Sequence, residues 1–538
     1  MTTNRIAIAP LALVGLVGLA TCGSNELRPF PLRAPLAADP DMTPFAPKPA
    51  KFESPAVWDT VDNLLFEPLT SALALRSSRR APNVTALDEV ADSSWFTNRV
   101  DTLAAAEDLS VWRKGACTDD PRIEGELTVI GGKPNGANPG FMLQDANGDK
   151  FLYKLDDRAS GGRASTADLI GSRLYYAAGY FAPCNRVAFI DPAKIKVSPK
   201  AMTEDFVGKK VPFTKEMLAF AMNKGLKRAD GKVRGSLSTL IEGPGLGPWT
   251  DFGVRPDDPN DVIPHEDRRE LRGSYIFAAL LSHYDAREQN TYDVWVGKDR
   301  GYVRHYMLDF GDCLGSSSTR PRVWRRRSHV YEIDWSTALV DFITLGALDR
   351  PWRDPHFGPT GTALGYYNSE DFDPEQFRTA YPFGPFTHLT EADAAWGARI
   401  LARMSPAAIS AVVDEAQLTD PVIRKTLLDV ILARREALLR RYLSKLSPLA
   451  NPVVEVTGTV AQLCVRDRMV DAKLSDMQSR PLTATLDGRA LAVIEHCAQL
   501  PQASGPYAIV ELRAGPEAPL RVHLGTIGQH YAVVGLDR

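Results

Sequence analysis

Three short apolar runs fall between Glu126 and Asp156, at 127–130, 141–143 and 150–155, the last of them alternating with polar residues. Their length between turn residues, and the spacing of two in the third, predict a strand for each. The first two flank the loop "GGKPNGANPG", and Asn147-Gly148 in "DANGD" marks a hairpin between the second and third. After "RASGGRAS" the period changes: Leu169, Ile170, Leu174, Tyr175 and Ala178 recur at helical spacing. The predicted order is strand, glycine loop, strand, hairpin, strand, helix.

Further along, "PHEDRRELRGSYIFAALLSHYD" predicts a helix with Ile276, Phe277, Leu280 and Leu281 on an apolar side and Arg268, Arg269 and Arg272 on a polar one. "TYDVWVG" and "GYVRHYMLDFG" read as two strands around the turn "KDRG". "IDWSTALVDFITLGAL", "EADAAWGARILARMSPAAISAVVDEAQL" and "DPVIRKTLLDVILARREALLRRYLSKL" read as helices of a helical domain. From about residue 450 the chain breaks into short alternating segments separated by Gly, Pro and Asp, which predict a small all-β sandwich or barrel. The class is therefore α+β, and no internal repeat is visible.

At 538 residues the chain exceeds a single small core, so two or three domains are expected. Its net charge of -3 provides no basic field, which argues against nucleic acid as a partner. A monomer is expected. The N-terminus is more specific. Arg5 precedes an apolar run at 6–20 and then "TCGSN", the order of a secretory signal. Leu19-Ala20-Thr21-Cys22 resembles a bacterial lipobox, which implies lipidation of Cys22 and a membrane anchor; Thr21 departs from the usual small residue. A plain cleaved signal with a chance cysteine is the alternative. The segment 23–55 is proline-rich and reads as an extended tether. The segment 56–119 reads as an extension packed on the main domain, with Trp95 and Phe96 of "DSSWFTNRV" as a strap. Export makes the five cysteines after Cys22 candidates for disulfides, with Cys464 and Cys497 the expected pair and at least one thiol left over.

Phosphoryl transfer gives the strand order a purpose. A glycine loop lets backbone amides approach phosphate oxygens, which assigns Gly131, Gly132 and Gly136 to nucleotide binding. A lysine on the third strand neutralises phosphate charge, and an acid on the next helix holds that lysine: Lys154 and Asp168 fit, with Glu124 or Glu126 as other possible acids. His283, Asp285 and Asn290, followed by Asp309-Phe310-Gly311, resemble the H-x-D-x-x-x-x-N and D-F-G motifs of the protein-kinase-like superfamily. The likeness spans about 120–447 and is nearest to atypical members: spore-coat-type kinases, lipid-kinase-like enzymes, and bacterial lipoproteins with "DSSWFTNR" and "DFG-x-x-LGS" segments. It implies a β-rich N-lobe at 120–245, a helical C-lobe at 246–449 and, after them, the β domain at 450–538. It also implies Asp285 as catalytic base, Asn290 and Asp309 as metal ligands, and ATP with Mg2+ as cofactors. The A-P-E element of eukaryotic protein kinases is absent. A second D-F-G at 251–253 follows no predicted strand and is read as a coincidence; "RVWRRRSH" at 322–329 is a charged loop or an anion-binding patch. No H-E-x-x-H or G-x-S-x-G occurs. Two functions stay open: a phosphotransferase acting on a protein, glycan or lipid acceptor at the cell envelope, or a pseudokinase that binds a ligand or partner there and transfers nothing.

Overall fold

The computed structural model describes residues 41–53, 61–73, 79–117, 125–133, 140–158, 161–205, 209–315, 326–353, 366–458 and 460–538. Cys22, Gly136, Glu124 and residues 322–325 lie outside them. The described chain begins at Asp41, whose carboxylate accepts from Ser94 N at 3.2 Å. A helical turn at Asp62–Phe66 leads into α1 (Glu67–Leu73). Trp95 and Phe96 are buried: the Trp95 ring stacks on His305, and Phe96 packs edge-on to Tyr180.

Seven strands follow as one sheet: β1 (Leu127–Gly132), β2 (Gly140–Gln144), β3 (Lys150–Leu155), β4 (Asn185–Ile190), β5 (Ile195–Glu204), β6 (Lys210–Pro212) and β7 (Val233–Thr239). They lie in the order β4-β7-β3-β2-β1-β5-β6, with β1 to β5 the parallel step. Alternation along β2 and β3 buries Phe141, Leu143, Phe151, Tyr153 and Leu155 on one face. Between β3 and β4 runs α2 (Arg163–Ala178), buried on nearly every side; α3 (Lys215–Lys224) covers the sheet's apolar face with Leu218, Ala221 and Met222. The start of α2 is fixed by Asp156, just past β3, which accepts from Ser165 N at 2.9 Å and pairs with Arg234 of β7 at 3.2 Å. This bond supplies one of the amide partners that a helix N-terminus lacks.

The chain then turns helical. α4 (Arg269–Gly273) and α5 (Tyr275–Leu281) are buried throughout, as is Arg268 ahead of them. The polar face expected for Arg268, Arg269 and Arg272 is therefore not a solvent face. Asp393 lies 3.1 Å from Arg269 and 3.3 Å from Arg272, Asp261 lies 3.3 Å from Arg268, and Asp88 also pairs with Arg269. Those carboxylates come from elements far apart in sequence, and pairing is the condition on which such charges are buried. A small sheet of β8 (Gly245–Gly247), β9 (Thr291–Gly297) and β10 (Gly301–Met307) has the order β10-β9-β8.

α6 (Trp335–Ile343) forms where the apolar spacing predicts a helix, N-capped by Asp334, but none of its residues is buried. By contrast α7 (Glu391–Ala402), α8 (Pro406–Asp414) and α9 (Pro421–Tyr442) build the helical core around Trp396, Ile409, Val412, Leu427 and Leu438. Thr390 and Asp393 close a capping box on α7; Ser405 and Asp420 cap α8 and α9, each followed by proline at the first helical position.

After α9 come two antiparallel sheets. β11 (Leu449–Thr457), β12 (Val460–Asp467), β15 (Val493–Ile494) and β16 (Cys497–Leu500) form one; β13 (Thr483–Leu486), β14 (Arg489–Ala490), β17 (Tyr507–Arg513), β18 (Leu520–Ile527) and β19 (His530–Asp537) form the other. Leu463 and Ala498 of the first share one core with Val510, Val522 and Leu524 of the second, as in a sandwich. Cys464 and Cys497, opposite each other on β12 and β16, are joined by a disulfide. A second bridge, Cys117–Cys184, is one the sequence left unassigned; Cys313 is a buried free thiol. Among the described residues no helix is long and apolar enough to cross a membrane.

Candidate functional site

Lys154 occupies the fifth position of β3, opposite Ser236 of β7. Its Nζ lies 2.9 Å from Asp168 Oδ2 on α2 and 3.0 Å from Asp309 Oδ1, beyond β10. Ser236 Oγ donates to Asp168 Oδ2 at 2.5 Å, so the carboxylate is fixed from the sheet as well as by the lysine. An aspartate is long enough here because the bond between Asp156 and Ser165 draws the start of α2 close to β3. Glu126 is engaged elsewhere, 2.5 Å from Lys196 on the surface. Burial opposes the charge on Lys154, but Asp168 and Asp309 outweigh it and hold the ammonium above its ordinary pKa. Reciprocally, Lys154 holds Asp309 well below the usual carboxylate range.

A second group converges from the loop after α5. The helix ends at Ser282 in the left-handed conformation (φ +48°), which redirects the chain to His283. His283 is buried, its Nδ1 3.1 Å from Tyr175 OH of α2, and burial lowers its pKa to about 4. Asn290 Nδ2 donates to the Asp285 carbonyl at 2.7 Å and to Asp285 Oδ2 at 2.9 Å, while Arg287 Nε lies 3.0 Å from Asp285 Oδ1. Leu308 N donates to Asn290 O at 2.8 Å, tying this loop to the end of β10. Asp309 itself has φ +52°, a conformation that aspartate tolerates better than most residues. Phe310 next to it is buried beneath α2: a Cβ on Gly171 would come within 2.5 Å of Phe310 Cβ, so only glycine admits the ring.

Two residues of this cluster were not singled out by the sequence. Asp312 Oδ2 accepts from Asp285 N at 2.9 Å; burial, then the neighbouring Asp285, push its pKa up. Lys133 follows the glycine pair that ends β1 and donates its backbone N–H to Gly140 O at 3.1 Å. Burial lowers its pKa while Asp309, the strongest opposing charge, raises it. The signal in sequence was slight: an acid three residues after Asp309, and a lysine directly after "GG".

Three other sequence features have defined surroundings. Gly131 and Gly132 are strand residues packed against β5: a Cβ on Gly131 would lie 3.3 Å from Met202 O, and one on Gly132 would overlap Thr203 Oγ1. Close strand packing gives both glycines a structural role in the sheet. Asp251 of the second D-F-G, a few residues past β8, accepts from Gly384 N at 2.8 Å, and burial raises its pKa to about 6. It holds a loop. Of the arginine-rich stretch, Arg327 lies 3.9 Å from Asp312 and over the Tyr284 ring.

No family model and no curated protein matches the chain. Similar solved structures include the Helicobacter pylori proinflammatory kinase CtkA, at 11% identity over 58% of this chain and 94% of that one, TM-score 0.28. They also include the Golgi casein kinase, at 10% identity over 72% and 89%, TM-score 0.24. The Golgi casein kinase with Mn/ADP bound aligns at 10% identity over 75% and 94%, TM-score 0.25. Overlaps this loose carry no conclusion about this chain.

Proposed function

We propose that this chain is a two-lobed, kinase-like phosphotransferase that is exported, anchored through Cys22 and acts on a hydroxyl-bearing acceptor at the cell envelope. The observation that carries the catalytic part is Lys154, held between Asp168 at 2.9 Å and Asp309 at 3.0 Å, with Asn290 bonded to Asp285 beside it. The seven-stranded sheet serves as the N-lobe and the helices around α7 and α9 as the C-lobe.

The donor set suits a magnesium-nucleotide. Asp309 is an ionised oxygen ligand, and Asn290, with Nδ2 committed to Asp285, keeps its Oδ1 as an acceptor; hard cations take such oxygens. When bound, the cation neutralises charge on the phosphates. Lys154 contributes positive charge to the nucleotide phosphates, and Asp168 keeps it oriented. Asp285 accepts the proton of the acceptor hydroxyl as its oxygen bonds to the terminal phosphorus. The bond from that phosphorus to the bridging oxygen breaks, and the nucleoside diphosphate leaves with the electron pair. Burial raises the pKa of Asp285, which strengthens it as a base.

The test is magnesium-dependent ATP binding measured by calorimetry. Asp309→Asn should weaken binding at least tenfold, about 1.4 kcal/mol, whereas Asp285→Asn should bind and fail to transfer phosphate to any acceptor. Unchanged binding by Asp309→Asn would sink the site. A parent protein that binds Mg-ATP yet phosphorylates nothing would favour the pseudokinase.

A further inference from the structure

A run of apolar side chains on the surface has no place in the phosphotransfer site. In α6, Phe342 is 77% exposed, and Leu339 and Ile343 are also exposed; Leu345, just past the helix, is 91% exposed. The helix lies against α1, where Leu73 is 78% exposed and Leu69 is exposed as well. Soluble monomers rarely show contiguous apolar patches beyond a few hundred Å². A helix with one such face and a polar opposite face suits the boundary between headgroups and acyl chains.

We propose that α1 and α6 together form a docking face for a lipid bilayer with electrically neutral headgroups. The choice of a bilayer as occupant rests on the export reading of Cys22. Eighteen residues lie between Cys22 and Asp41, a described residue bonded to the body; at about 3.5 Å per residue the reach is on the order of 65 Å at most. A body confined that close to a bilayer samples it at high effective concentration. Charge selects the lipid. Asp62 and Glu67 lie on or just before α1 and Asp334 just before α6, Asp341 of α6 is paired with Arg350 at 2.6 Å, and neither helix itself carries a lysine or arginine. An acidic surround is repelled by anionic headgroups, so the attraction is apolar and insensitive to salt.

The experiment uses the full chain carrying Cys22→Ala and Leu345→Cys, labelled at Leu345→Cys with an environment-sensitive fluorophore. On adding phosphatidylcholine vesicles, the fluorophore should shift to the blue and be quenched by lipids brominated on their acyl chains. Admixed phosphatidylglycerol should weaken the response, and added salt should leave it unchanged. Adding Leu339→Glu and Phe342→Glu should lower vesicle partitioning at least tenfold while leaving ATP binding intact. A fluorophore that stays in water while the chain floats with vesicles would overturn the proposal, since another segment then makes the contact. A blue shift that grows with protein concentration in the absence of vesicles would also overturn it and point to self-association. Cell fractionation of Cys22→Ala tests the anchor separately, so the two readings fail independently.

Discussion

Lys154 is the residue on which stability and function are hardest to separate. As a surface lysine it could be removed without consequence for folding. Buried, and 2.9 Å from an Asp168 that is itself buried, it cannot. Lys154→Met leaves Asp168 uncompensated, which should cost about 3 kcal/mol or more. Adding Asp168→Asn should restore much of the melting temperature but not ATP binding. If the double variant binds ATP normally, the lysine has no role at the phosphates. His283 makes a second residue-scale claim. Its pKa is about 4 in the folded chain against an ordinary 6.5, so the unfolded chain binds the extra proton first. Its contribution to stability is complete above pH 6.5 and is lost as pH falls towards 4, to a total of about 3 kcal/mol. Melting curves across that range should fall more steeply for the parent than for His283→Gln; parallel curves would contradict the assignment.

Elements decide how far the sequence could be read. The apolar runs of β1 and β2, the alternation of β3 and the helical spacing of α2 were enough to place Lys154 on a strand and Asp168 on the helix after it, because local pattern carries that information. Asp312 and Lys133 were missed for a different reason: their surroundings are made by the turn at Asp309 and the approach of β1 to β2, which no period encodes. The burial of Arg269 and Arg272 was equally hidden, since their partners Asp88 and Asp393 lie far along the chain in both directions. α2 carries one more element-scale dependence. Gly171 is the point where the helix admits Phe310, and through it the backbone of Asp309. Gly171→Val should press the two apart, costing about 1–3 kcal/mol of stability and lowering ATP affinity more than an equally destabilising change in the C-terminal sandwich. Equal effects on affinity from both sites would remove α2 as the support of Asp309.

At the scale of the whole molecule, distant parts of the chain are fastened together. Arg269, Arg399 and Arg538 all reach Asp88, so the helical core, the segment before β1 and the last strand meet at one carboxylate. Leu536 N also donates to Ala86 O at 2.8 Å, joining β19 to the same segment. The bridge between Cys117 and Cys184 acts at this scale too. It spans 67 residues, and within that ring lie β1, β2, β3 and α2, with both Lys154 and Asp168. Closing a ring of this size removes about 4 kcal/mol of freedom from the unfolded chain in the loop-entropy account. The redox history of a sample therefore becomes part of any assay on it. Protein made in a reducing cytosol lacks the ring; it should melt lower and bind ATP more weakly than the same chain oxidised, and recover both on oxidation. A negative activity result from such a preparation would report the host's thiol chemistry before it reported anything about this chain.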